Sequence, residues 1–129
     1  MNARTYLLLA ALVPLGHGCG DDRPLSEREA CLAYVDAWCT RSLECFASTG
    51  ARITWADEWR CRSAAEKEIG CDGDAGMCGR RAYDASAVSA CLHDTEDLHC
   101  GAILDAVLED EPPHTGCPLM CAESSGKDE

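Results

Sequence analysis

A chain of 129 residues with 23 Asp+Glu against 11 Lys+Arg carries a net charge of −12. That surface repels nucleic acid and excludes it as a partner. The length allows one domain, and the 47% apolar share leans on alanine and 11 cysteines, so crosslinks must replace a large core.

The chain opens with Arg4, a nearly continuous apolar run from Tyr6 to Leu15, and small residues at Gly16 and Gly18. The run is shorter than the roughly 20 residues a bilayer-spanning helix needs. Its layout is that of a signal peptide over residues 1–18. Leu15-Gly16-His17-Gly18-Cys19 resembles a lipobox with its leucine one place early. On that reading Cys19 bears a lipid anchor to the membrane, and residues 19–25 form a polar tether. Cleavage after Gly20 is the alternative, and it would release the protein without lipid. Either route removes Cys19 from the pairing problem. Cys31, Cys39, Cys45, Cys61, Cys71, Cys78, Cys91, Cys100, Cys117 and Cys121 remain, an even set that can close as five bridges.

Residues 26–121 read as the folded domain. Ser26 with Glu29 forms a capping box, and Cys31, Tyr34, Val35, Trp38 and Cys45 mark one face of a helix running to about Ala47. Ser48-Thr49-Gly50 ends it. Thr54 with Asp57 starts a second helix with Cys61, Ala64, Ala65 and Ile69 on one face, closed by Gly70. Gly70 to Gly79 is a Gly- and Asp-rich loop containing Cys71 and Cys78. Asp84 caps a third helix through Val88, Cys91 and Leu92. Asp94 or Thr95 is expected to cap a fourth, carrying Cys100, Ile103, Leu104, Val107 and Leu108 and stopped by Pro112-Pro113. Cys117 to Cys121 can make a last turn, and residues 122–129 read as a disordered tail. No stretch alternates with period two, so no strand is expected. The fold class is all-α, a small disulfide-stapled bundle of about four short helices. Ala30-Cys31-Leu32 echoes Ala90-Cys91-Leu92, too briefly to establish a duplicated hairpin.

Ten cysteines allow roughly 900 pairings. Helix geometry selects two of the pairs. If the first two helices are antiparallel about a turn near Gly50, facing residues have numbers that sum to about 100. Cys39 with Cys61, and Cys31 with Cys71, meet that condition.

Ala30-Cys31-Leu32-Ala33-Tyr34, then Cys39 and Cys45, Trp59-Arg60-Cys61, and the later Cys91, Cys100, Pro112 and Cys117 carry a family likeness. In these spacings the chain resembles the cysteine-rich lipoproteins abundant in myxobacterial genomes. The resemblance covers most of the segment after Cys19. It implies an envelope or extracellular location and a disulfide-bonded helical domain, and it points to no particular activity.

Catalytic and metal chemistry find little purchase. No Cys-x-x-Cys is present for thiol exchange. Cys91-x-His93 and His99-Cys100 lack the paired spacing of structural zinc. Asp72-Gly73-Asp74-Ala75-Gly76 matches the start of a calcium loop, but Met77 stands where the turn glycine belongs and Tyr83 where the final Glu does. No cofactor, metal or catalytic residue is therefore assigned. Trp55 and Trp59, four apart on the second helix, have two readings. Exposed, they make a platform for a sugar ring or an apolar partner. Buried, they cap the first helix or shield a disulfide. The sequence leads to a non-enzymatic envelope module engaging an unknown protein or glycan partner, with a secreted effector or inhibitor as the alternative.

Overall fold

Ser26 starts the first helix as a capping residue should. Its hydroxyl accepts from the Glu29 N–H at 3.3 Å, and its own N–H donates to the Glu29 carboxylate at 2.8 Å. The computed structural model describes residues 23–109 and 117–122, so Met1–Gly18, Cys19, Pro112-Pro113 and 123–129 lie outside the described residues. From Ser26 runs α1 (Glu27–Ser48), followed by α2 (Trp55–Ile69), whose own capping box joins Thr54 and Asp57. Gly70 ends α2 at φ +84°, the left-handed backbone that glycine adopts without a Cβ penalty.

The rest of the chain wraps back over α1. A two-residue strand β1 (Ala82–Tyr83) leads into a 3₁₀ turn (Ala85–Ala87), which runs on into α3 (Val88–Glu96). After α4 (Cys100–Glu109), a second 3₁₀ turn (Cys117–Met120) feeds β2 (Cys121–Ala122). β2 pairs antiparallel with β1, Ala82 opposite Ala122 and Tyr83 opposite Cys121. α1 is the central element, touching α2, α3 and α4. Its inward face buries Ala30, Cys31, Val35, Cys39, Ser42 and Cys45. The Ser42 hydroxyl on that face has no hydrogen-bond partner among the described residues, a cost of about 1–3 kcal/mol.

Five disulfides staple the helices. Cys31–Cys71 and Cys39–Cys61 close at Cα separations of 5.5 and 5.8 Å, the two pairs that the antiparallel register predicts. The others are Cys45–Cys100, Cys78–Cys121 and Cys91–Cys117. Their plan is nested. Cys31–Cys71 encloses Cys39–Cys61, Cys78–Cys121 encloses Cys91–Cys117, and Cys45–Cys100 links the interior of one nest to the interior of the other. In this plan Cys31 corresponds to Cys78 and not to Cys91, so the Ala-Cys-Leu echo is out of register with it.

Two apolar clusters share the interior. One gathers Ala30, Val88, Cys91 and Met120, and the other Cys31, Val35, Cys39 and Cys71. Met77 packs against both, a use suited to its flexible thioether side chain.

Four expectations need correction. Asp94 and Thr95 do not cap α4, because α3 continues through Glu96 and α4 begins at Cys100. Thr95 is instead fully buried, its hydroxyl donating to the Cys91 carbonyl at 2.8 Å. The threonine sits inside α3, held to its own helix and fully buried, and so does not stand at the start of the next one. Strands do occur, but at two residues each they are too short for alternation to reveal them. Ala122 belongs to one of them, anchored by its neighbour Cys121, and not to a tail. Finally, the apolar faces are narrower than their spacing implies. Ala64 is exposed on α2, and α4 buries Ile103 while leaving Val107 and Leu108 exposed. Among the described residues, no helix is long and apolar enough to cross a membrane.

Candidate functional site

The second helix carries the most exposed aromatic surface. Trp55 is 78% exposed and Trp59 59% exposed. Successive residues of an α-helix turn by about 100°, which places these indoles roughly 120° and 160° around α2 from Cys61. They lie exposed on the flank of α2, outside the Cys61, Ala65 and Ile69 face that packs on the Cys31–Cys39 cluster. Trp38 on α1 is the indole that packs against the Cys31–Cys39 cluster.

Several contacts fix α2 so that these side chains stand on a rigid support. Thr54 N–H and hydroxyl each donate to Asp57 at 2.8 Å, holding that carboxyl below its usual range. Arg62 reaches across to Asp36 of α1, Nε to Oδ1 at 2.8 Å, and lies 3.6 Å from Glu58 one turn back. The Cys39–Cys61 bridge locks the middle of the helix pair.

A cleft of about 250 Å³ opens between α1 and α2 beside the indoles. Thr40, Leu43, Glu44 and Ala47 form its α1 wall, and Ile53, Glu58 and Arg62 form the other. Residues three and four apart on a helix are surface neighbours. Trp55, Glu58, Trp59 and Arg62 thus make one continuous diamond, two corners aromatic and two polar. The aromatic pair is legible in the sequence, whereas the cleft is not singled out there. Its signal is the same sum rule that selects the bridges: Thr40 with Arg62, Glu44 with Glu58, and Ala47 with Ile53 all sum near 100.

The stretch also departs from the charge of the chain. Over 52–69, Arg52, Arg60, Arg62 and Lys67 balance Asp57, Glu58, Glu66 and Glu68, so the stretch is neutral in a chain of net charge −12. Among the described residues the ion pairs engage Arg23, Arg28, Arg41, Arg62 and His93, and neither Arg52 nor Arg60.

The remaining candidates do not converge on a site. The sulfurs of Cys91 and Cys100 are bonded to Cys117 and Cys45, while exposed His93 lies 3.3 Å from Asp97. Asp72 pairs with Arg28 at 2.7 Å, and Met77 of the same loop packs inward. Within that loop Gly76 sits at φ +63° against the Glu27 carboxylate, which accepts the Cys78 N–H at 2.8 Å. The loop is thus built for closure onto α1. Among the described residues no group of three or more His, Cys, Asp or Glu side chains is placed to hold a metal ion. A wider groove between α1 and α3, lined by Asp36, Arg41, Glu44, Leu92 and Glu96, contains no aromatic side chain.

No family model matches this chain, and neither a curated protein nor a solved structure is significantly similar to it.

Proposed function

We propose that the chain is an exported, non-enzymatic recognition module of the cell envelope, engaging another macromolecule through the outer face of α2. The observation that carries this reading is the exposed indole pair on a helix fixed by a disulfide. Tryptophan supplies a large apolar area with few rotatable bonds, and a helix that is already held rigid loses little freedom on binding. Burial of even half of each indole would contribute about 2–5 kcal/mol at roughly 25 cal/mol per Å². Five bridges support residence in an oxidising, extracytoplasmic compartment.

Residues 1–18 act as the signal peptide and Cys19 as the lipid-bearing residue, consistent with the resemblance to cysteine-rich lipoproteins. The mature protein from a diderm host is then expected to start at Cys19 with added acyl mass. A mature chain starting near Asp21 without lipid would make it a secreted protein instead. Recognition itself is tested with envelope fractions from the producing organism. Wild-type protein is retained on them, and the double variant Trp55→Ala/Trp59→Ala is not. Equal retention of both proteins would sink the assignment to α2.

A further inference from the structure

We infer that the indole pair of α2 and the cleft beside it bind an uncharged polysaccharide, a pyranose ring stacked on the indoles and its hydroxyls turned into the cleft. This deepens the proposed function and rests on its choice of α2 as the recognition face.

Stacking surface and cleft are contiguous. Measured from Glu58 on the cleft wall, Arg62 lies about 40° round α2, Trp55 about 60° and Trp59 about 100°. The wall therefore runs directly into the two exposed indoles. Residues four apart on a helix have Cβ atoms about 5–6 Å from each other, which makes the pair one platform. A pyranose ring has an apolar C–H face that stacks on an indole and a rim of hydroxyls that needs polar partners.

The cleft supplies those partners from groups whose charges are already matched. Glu44 is held by Arg41 at 3.1 Å, and Arg62 by Asp36 at 2.6 Å with Glu58 3.6 Å away. No cation on the walls is left for an anionic ligand. Hydrogen-bonding capacity is not used up, because an ionised carboxylate has about four acceptor positions and a guanidinium several N–H donors. Glu44, Glu58, Arg62 and the Thr40 hydroxyl thus offer acceptors and donors to hydroxyl groups. The wider stretch agrees, since residues 52–69 are neutral in a chain of net charge −12. A polyanion gains nothing there and is repelled elsewhere, while a polycation is drawn to the rest of the surface before α2.

A second copy of the chain fits this face less well. Two such platforms set against each other would bury about 700 Å² of indole surface. A stable interface needs roughly 1,200 Å², and the pairing would bring two acidic domains together. The juxtaposition of stacking surface and charge-matched polar cleft favours the neutral glycan.

The test is a titration of the mature protein, followed by tryptophan emission and calorimetry. The probes are cello-, malto- and chito-oligosaccharides, together with oligogalacturonate and phosphatidylcholine vesicles. At least one neutral oligosaccharide is expected to bind, with an affinity that changes less than about twofold as salt is raised. Trp59→Ala should weaken that binding about tenfold or more. Glu58→Ala should weaken it about fivefold by removing hydroxyl contacts. Arg60→Gln, about 160° round α2 from Glu58, should leave it unchanged. All three side chains are exposed, so circular dichroism should match the wild type. Tighter binding of oligogalacturonate than of every neutral probe, or an Arg60→Gln loss equal to that of Glu58→Ala, would overturn the uncharged assignment. Binding to vesicles without binding to any oligosaccharide would overturn it in favour of a lipid surface. On envelope fractions, retention is expected to survive protease treatment of the fraction and to be lost after periodate oxidation, and the reverse pattern would make the partner a protein. If no oligosaccharide binds and retention resists periodate while still needing the two tryptophans, the glycan is wrong and the recognition face stands. If the tryptophan double variant is retained as well, both fall.

Discussion

The two halves of the chain, residues 31–71 and 78–121, follow one bridge plan with different materials. Each nests one disulfide inside another and leaves one cysteine to pair with the other half. The first half executes the plan with helices of 22 and 15 residues, both opened by capping boxes. The second uses helices of 9 and 10 residues, two 3₁₀ turns and a two-residue strand pair. Burial runs the other way. α2 has no fully buried residue, while α3 buries Val88, Cys91 and Thr95, the first two clustered with Ala30 and Met120. Crosslinks thus hold α2 in the first half, and packing shares that work in the second. A helix held by crosslinks need not spend its large apolar side chains on the interior. That is how Trp55 and Trp59 come to stand in solvent.

The largest expected effect comes from cutting the link between the halves. Cys45–Cys100 spans 55 residues and Cys39–Cys61 spans 22. On the loop-entropy account, Cys45→Ser/Cys100→Ser should lose about 4 kcal/mol and Cys39→Ser/Cys61→Ser about 3 kcal/mol. Urea midpoints would measure both. An equal or reversed order would mean that the halves are docked by packing and not by the crosslink.

Met77 gives the next largest effect because it touches both apolar clusters. Met77→Ala should cost about 2 kcal/mol, and Met77→Leu, which keeps the volume, less than about 1.5 kcal/mol. Thermal unfolding with the bridges intact would read the difference. If alanine is tolerated as well as leucine, the two clusters are independent.

Acid should produce the smallest effect, and an uneven one. The Arg23 guanidinium and the Ser26 cap lower the Glu29 carboxyl from its usual 4.5 to about 2. Hydrogen bonds from Thr54 lower Asp57, and those from Ser86 lower Asp84. A carboxyl lowered in the folded state stabilises fully above its unfolded pKa, and that contribution is lost as pH falls through the folded value. Stability should therefore decline from about pH 4.5 towards pH 2, with two of the three groups in helix starts of the first half. Far-ultraviolet dichroism at low pH should show α1 and α2 fraying first, and Glu29→Gln should remove part of the slope. A flat profile between those pH values would mean that the caps add nothing once the bridges are closed.

How much was legible in the sequence follows the same division. Both helix starts of the first half, its glycine stop and its two bridges come from spacing alone, because an antiparallel pair of regular helices leaves one free parameter, the turn. In the second half the return path passes through irregular segments. Nothing local says that Cys117 reaches Cys91 or that Cys45 finds Cys100. Thr95 misleads for a physical reason: its hydroxyl can start a helix or bond back within one, and burial decides between them. The indoles are visible as a pair, but which way they point depends on the phase set by Cys61. The cleft needs the register of both helices before its walls can be named.

One consequence of the bridge plan concerns how the chain is made. No native disulfide joins cysteines adjacent in the sequence, and each skips at least one other, as Cys39–Cys61 skips Cys45 and Cys91–Cys117 skips Cys100. A chain that emerges from a translocation channel presents its thiols in order. An oxidant that simply couples each to the last would produce wrong partners throughout. A chain oxidised in that order reaches this fold only through thiol–disulfide exchange, with Cys121 available before the outer bridge of the second half can close. On that route oxidation supplies the bridges and exchange sorts them.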